Sequence, residues 1–489
     1  MGELGWRVHD RTHLEVAIEY PVTPACEHVW EAYIFVPASF RLQEDTYDKK
    51  AIYDDLWSYV RFSPRRASLA ALVAPGGAAP RLAEALLAAS GAADGTPKAN
   101  AATRRLRLYA CQVRAACLSA AAELQARVER RDPSSGLLAV SLARETKAAI
   151  VAMRAAIAGA DSLAEHVRVS GEWSDEDVSL VVESVLAQAS LALQRNAHDP
   201  SYEIAARELA EVAAAEARHR ADVGCDSVAS EGATARDVEH LEFRRHAMKR
   251  FTSSVLWLTM EVSDAAGWAV HALYGLAAAV AMTFALVASV NASPITDSAY
   301  RYGVAIVLAY AVKDRMKAFL QRAFDGVVAR RFPDRKWSLT DHDRGVVVGA
   351  VRERAAFLPM SALPPDVLTS RRLTRAHPLE DSARPERVLW HKKTVIVRPA
   401  AASESGDLPT LTEIFRLNVR RWLEHADDPN QVIAFADPRD GRLHEAKARR
   451  VYNVNVVYRL AHAGQDAPWR RLRVVVSRKG IDRIDVIRL

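Results

Sequence analysis

The chain has 489 residues, enough for two or three domains, with 26% charged and 50% apolar residues and a net charge of +6. That balance excludes an intrinsically disordered chain, and the modest basic excess without clustered basic and aromatic residues gives no reason to expect nucleic acid. Four cysteines (Cys26, Cys111, Cys117 and Cys225), with no C-x-x-C pair, exclude a secreted disulfide framework and point to a reducing compartment.

In chain order, His13 to Tyr20 and Val29 to Val36 read as strands separated by Pro21 and Pro24. Asp45 to Val60 reads as a helix capped by Thr46, with Ile52, Leu56 and Tyr59 on one face. The histidines His9 and His13 fall at a strand entrance, where that spacing does not converge on a metal. Residues 1–70 are therefore expected to form a small N-terminal α/β region.

Pro75-Gly-Gly77 and the stretch from Ser90 to Pro97 are loops. Long helices follow, over Ala101 to Arg130, Leu137 to Val169, a segment opened by Ser174-Asp-Glu-Asp177 as a capping box, and a segment opened by Asp199-Pro200. Gly224 to Thr234 reads as a linker, and Ala235 to Asp264 as a further helix. Amphipathic helices joined by short breaks predict a bundle over 71–251, expected in the cytoplasm.

From Ala265 to Val290 there is no Asp, Glu, Lys or Arg, and His271 and Tyr274 are the ionisable groups. At about 1.5 Å per residue this run is long enough for a hydrocarbon core of about 30 Å. Asn291 to Ser298 has turn chemistry around Pro294. The shorter run Ala299 to Val312 carries Arg301 and ends at Lys313-Asp314-Arg315. This pattern predicts a two-helix transmembrane hairpin with flanking interfacial helices over 252–331. Small residues Ala272, Gly275 and Ala279 on the first helix, and Ala305 and Ala309 on the second, would let the helices approach closely. Arg244, Arg245, Lys249 and Arg250 precede the hairpin, Lys313 and Arg315 follow it, and Arg301 sits beyond the loop; these are the expected membrane-interface residues. Their bias places both termini in the cytoplasm.

After Pro333 strand signals return. Val432 to Ala436, Asp437-Pro-Arg-Asp-Gly441 and Leu443 onward form a β-hairpin, and Val451 to Leu460 alternates apolar and polar positions. Leu411 to Leu423 is ambiguous between helix and strand. Residues 332–489 are expected to be a cytoplasmic, mainly antiparallel β domain. The fold class is thus an α+β membrane protein: N-terminal β-containing region, long-helix bundle, transmembrane hairpin and C-terminal β domain.

No nucleotide, hydrolase-elbow or zinc-protease motif occurs. Asp341-His342-Asp343 is the one histidine between two carboxylates after the hairpin, a hydrolase candidate whose plainer reading is a turn. No cofactor or metal is expected, and an enzyme is not favoured. Val29 to Pro37 with Tyr47 to Phe62, Tyr310 to Lys317, and Arg450 to Arg459 resemble segments of uncharacterised bacterial proteins with two transmembrane helices, a family with no assigned function. The resemblance implies membrane residence and brings no assigned activity with it.

The abundance of Ala and Arg over Lys points to a GC-rich bacterium. The expected function is a bacterial inner-membrane-anchored scaffold, sensor or regulator acting through cytoplasmic protein contacts. Its partners would be the lipid bilayer and either a second copy or another protein. The alternatives are an oligomeric pore-forming effector and a hydrolase centred on Asp341, His342 and Asp343.

Overall fold

The computed structural model describes residues 5–22, 27–196, 200–229, 232–263, 267–292, 299–372, 386–398, 408–462, 464–465 and 467–487. Cys26, Asp199, Pro294 and most of the expected 291–298 turn lie outside these residues.

The β structure is built from both ends of the chain. β1 (Gly5–Val8), β2 (His13–Pro21), β3 (Glu27–Pro37) and β4 (Leu56–Ser63) come from the start. β5 (Leu258–Ser263), β6 (Arg335–Asp341), β7 (Val346–Leu358), β8 (Glu386–Val397), β9 (Thr410–Asn418), β10 (Asn430–Ala436), β11 (Leu443–Arg449), β12 (Tyr452–His462), β13 (Arg470–Ser477) and β14 (Gly480–Ile487) follow. A four-stranded sheet runs β1-β2-β9-β4, and an eight-stranded sheet runs β14-β13-β12-β3-β8-β7-β6-β5, with antiparallel neighbours throughout. β3 is inserted between β12 and β8, and β9 between β2 and β4. The two stretches set apart as 1–70 and 332–489 thus share both sheets. Strand alternation shows which face is buried, but not which distant strand will cover the hydrogen-bonding edges.

The two sheets share one core and close into a barrel at two seams. At one seam Arg61 in β4 bridges to Trp257, just before β5. At the other, Ile481 N–H donates to the Arg11 carbonyl at 2.7 Å. Gly480 makes this second seam possible: its φ is +135°, and a Cβ there would lie 2.3 Å from the Arg11 oxygen. Tyr20, Trp30, Phe62, Leu339, Val395 and Leu411 fill the interior.

The helices are α1 (Lys49–Asp55), α2 (Leu69–Val73), α3 (Ala78–Ala89), α4 (Pro97–Glu129), α5 (Ser135–Ala158), α6 (Glu165–Arg195), α7 (Pro200–Asp222), α8 (Ala235–Ser253), α9 (Gly267–Ala292), α10 (Ala299–Arg331) and α11 (Pro365–Arg372). α2 to α7 enclose a separate alanine-rich core. α4 joins this bundle to the barrel. Leu108 and Cys111 reach the barrel core, and Arg104 donates to Asp341 at 2.9 Å at the end of β6.

Several expectations are corrected. The helix expected over Asp45 to Val60 is only α1, capped by Asp48, and gives way to β4, because Leu56, Ser58, Val60 and Phe62 are drawn into the barrel wall. The capping box at Ser174 to Asp177 is not a helix start. It lies inside α6, where Asp175 is taken by Arg154 and His219, Glu176 by Arg244, and Asp177 by Arg114. Tertiary ion pairs use the carboxylates that, read locally, resembled a cap. The helix expected over 235–264 ends at Ser253, and β5 follows. Leu411 to Leu423 resolves into β9 and a helical turn at Arg420–Leu423.

The fold class is corrected as well. The protein is a mixed α+β structure with large antiparallel sheets. Among the described residues one helix, over Gly267–Asn291 with mean hydropathy 2.0, is long and apolar enough to cross a membrane. α10 does not qualify. After the 14-residue stretch 299–312, its remaining residues from Lys313 to Arg331 include six basic and two acidic groups. A two-helix transmembrane hairpin is therefore not shown by the described residues.

Candidate functional site

α9 and α10 interrupt the β5–β6 ladder. Ser263 at the end of β5 is the register partner of Lys336 at the start of β6, so the excursion leaves and returns at one point. Asp334 pins that point: its carboxylate accepts from Tyr53 at 2.9 Å and Lys49 at 2.5 Å, and from the Ala355 amide at 2.9 Å. The two helices pack antiparallel, with the Tyr274 hydroxyl donating to Asp325 at 2.5 Å near the base.

The inner face of α9 is an alanine stripe, Ala269, Ala277, Ala281 and Ala285, all buried. On α10, Ala309 is buried and Ala305 half-buried. Ala272, Gly275 and Ala279, expected at the packing seam, face outward instead. Two alanine stripes fit a 3.6-residue helix, and the sequence contains both; only the partner's position chooses between them. The outer faces are apolar. Trp268, Leu276, Met282, Phe284, Leu286 and Val290 on α9 are exposed, as are Tyr300, Val307, Leu308 and Val312 on α10. A helix that is apolar all round and unburied within its own protein belongs against another apolar phase.

The expected interface cations divide. Arg244 makes a bidentate pair with buried Glu176, both contacts at 2.8 Å, and holds that carboxyl below its usual range against the opposing effect of burial. Arg245 pairs with Glu242 at 3.6 Å, and Arg250 lies 5.9 Å over the Trp257 ring. Arg245 and Lys249 line a cleft of ≈ 270 Å³ between α4, α6 and α8. These four residues sit on the helical bundle. Lys313 lies 4.3 Å over the Tyr310 ring, and Arg315 is exposed on α10. The side chain of Arg301 lies outside the described residues.

A second site was not legible in the sequence. Inside the barrel, Lys393 on β8 is 1% exposed and reaches Glu353 on β7 at 2.7 Å, Ser58 on β4 at 3.0 Å, and Glu413 on β9. Tyr20 on β2 donates to the other oxygen of Glu413 at 2.6 Å, and Ser58 also donates to Glu413. The His391 Nε2 stands 3.4 Å from Glu353, and its ring stacks on Phe415 at 5.3 Å. Burial by itself would raise the Glu353 carboxyl; the Lys393 ammonium and His391 outweigh it and bring it down to about 2. Lys393 is held protonated by the same two carboxylates, against its own burial. All three ammonium protons have acceptors, so Lys393 is an electrostatic tie between the sheets and not a nucleophile. Ser58 fell in a segment expected to be helical and Glu413 in one ambiguous between helix and strand, and that five strands bring their polar groups together was invisible.

Asp341 ends β6, and His342 and Asp343 follow in a turn. Asp341 is 1% exposed and paired with Arg104, while Asp343 lies 3.4 Å from the same guanidinium. Both carboxylates join the barrel to α4. Asp437, Asp440 and His444, at the tip of the β10–β11 arm, have ligand atoms within 4.8 Å of one another. Asp437 accepts from the Arg439 amide at 2.8 Å and Asp440 from the Arg442 amide at 3.0 Å, the hydrogen bonds of a turn.

No family model, curated protein or solved structure matches this chain.

Proposed function

We propose that this chain is a membrane-attached scaffold, sensor or regulator, held at the cytoplasmic face of a bacterial inner membrane and acting through protein contacts. One observation carries the reading: α9, without a charged residue, exposes large apolar side chains while projecting from a closed α+β body. Leaving that surface in water forfeits about 25 cal/mol per Å² of apolar area, which lipid would recover. The rest of the molecule offers extensive helical and strand surfaces for a partner. Asp341 and Asp343, singled out in the sequence, are engaged by Arg104 of α4.

The test is fractionation of expressing cells followed by affinity capture from detergent-solubilised membranes. The full chain should stay with membranes after an alkaline carbonate wash, and a variant lacking 267–331 should be soluble. A defined protein should co-purify in stoichiometric amount. A full chain found in the soluble fraction would overturn the reading.

A pore-forming assembly is the second reading, favoured by the outward position of Ala272, Gly275 and Ala279, which leaves a small-residue stripe for neighbouring copies. It requires ion leakage on expression, abolished by Gly275→Leu. An unchanged membrane potential would dismiss it.

A further inference from the structure

β10 and β11 form a ribbon of their own, apart from both larger sheets, and neither outer edge meets a strand among the described residues. Every residue of the ribbon is exposed except Ala448, which is half-buried. A two-stranded ribbon alone is marginal in water and gains from further strands. One of its faces carries Ile433 opposite Ala446 and Phe435 opposite His444, with both large side chains exposed. The phase of the ladder fixes which backbone groups point outward. The Arg450 amide donates to the Pro429 carbonyl, and the Asp437 amide to the Arg442 carbonyl, each at 2.8 Å. Bonded pairs recur at every second residue, so His444, Ala446 and Ala448 turn their backbone groups toward β10. The N–H and C=O groups of Leu443, Glu445, Lys447 and Arg449 point away from it.

A second copy of β11 laid antiparallel on this edge must set outward-pointing residues opposite one another. The possible registers then differ only in the residue on the two-fold axis. An axis at Glu445 opposes two glutamates, an axis at Lys447 opposes two lysines, and an axis at Ala448 opposes Lys447 and Arg449; like charges in those positions are destabilising. An axis at His444 gives neither Glu445 nor Lys447 an opposite charge. An axis at Ala446 sets Glu445 opposite the partner's Lys447, and symmetry repeats the pair.

We propose that the chain forms a two-fold dimer by pairing β11 with β11 of a second copy, which makes a four-stranded sheet in the order β10-β11-β11-β10. The occupant is a second copy because the strand is complementary to itself: acid and base lie symmetrically about Ala446, and the outward backbone groups agree with the same axis. The opposite edge offers no such signal, since β10 has no charged residue from Asn430 to Ala436. In the dimer Ile433 and Phe435 of both copies lie on one face of the enlarged sheet. The contact lies outside α9 and α10 and does not depend on membrane attachment.

The test uses the full chain purified in detergent. Residues opposite each other in a non-bonded antiparallel pair have Cα atoms about 4.5 Å apart, within reach of a disulfide. In a Cys26→Ser, Cys225→Ser background, Ala446→Cys should therefore give a reducible dimer under mild oxidation. Sedimentation velocity of the unmodified chain should show a dimer. Glu445→Lys opposes two pairs of lysines and should weaken dimerisation by about tenfold or more, and adding Lys447→Glu should restore it. Both side chains are exposed, so the circular dichroism spectrum should be unchanged in either variant. A monomer at tens of micromolar protein, or a dimer equally strong in Glu445→Lys, would overturn the proposal. A double variant as weak as the single one would overturn the register. Cross-linking through Ile433→Cys and not through Ala446→Cys would put the contact on β10 and overturn the pairing of β11.

Discussion

Ser263 and Lys336 stand opposite each other on neighbouring strands, although the whole of α9 and α10 lies between them in the chain. The sheet is therefore complete without the hairpin, and the hairpin is an insertion into a β-turn position. Deleting residues 264–331 and closing the gap with a four-residue Gly/Ser turn should leave the body folded. Far-UV circular dichroism should fall only by the helical content of the hairpin, and the denaturant midpoint should change little, because Asp334 keeps its bonds to Tyr53, Lys49 and Ala355. An unfolded product would show that the hairpin contributes to the barrel core.

The Lys393 network makes an asymmetric prediction. Lys393→Met leaves Glu353 and Glu413 charged, buried and unpaired, and should cost about 3–5 kcal/mol in urea unfolding. Replacing the set together, Lys393→Met with Glu353→Leu and Glu413→Leu, should cost less than the single change, since apolar groups need no counterion. A triple variant less stable than the single one would refute an electrostatic tie.

The barrel should lose stability in mild acid through His28. Its Nδ1 lies 2.6 Å from Nδ1 of His462, and burial first, then the His462 ring, brings it down to about 4 from an ordinary 6.5. The unfolded chain binds this proton more readily, so stability is present above pH 6.5 and is lost as pH falls toward 4. Denaturation midpoints between pH 7 and pH 4 should decline, and His28→Gln should flatten that part of the profile. A decline of the same size in the variant would assign the effect to other groups.

Gly480→Ala tests the second seam. The substitution needs a β-carbon 2.3 Å from the Arg11 oxygen at a φ of +135°, so it should open the Ile481–Arg11 hydrogen bond and destabilise by about 2 kcal/mol or more. Hydrogen exchange at the Ile481 amide should accelerate with it. Unchanged protection would mean that the two sheets are not joined there.

The sequence by itself determined the elements whose signals are local. Ala265 to Val290 reads as one apolar helix because charge is absent from it, and α9 occupies most of that run. Asp437 to Gly441 reads as a hairpin turn from its own residues, and the β10–β11 ladder closes around it. The long helices of the bundle follow from periodic alanine and leucine.

Tertiary structure decided everything that depends on which distant surfaces meet. β3 between β12 and β8, the outward turn of Gly275, the use of Glu176 and Asp177 as ion-pair partners, and the meeting of Lys393 with Glu353 and Glu413 each join residues far apart in the chain. The physical reason is the same in each case. Periodicity tells a side chain which face of its own element it occupies, but burial, pairing and charge neutralisation are properties of two surfaces, and the second surface is absent from the local pattern.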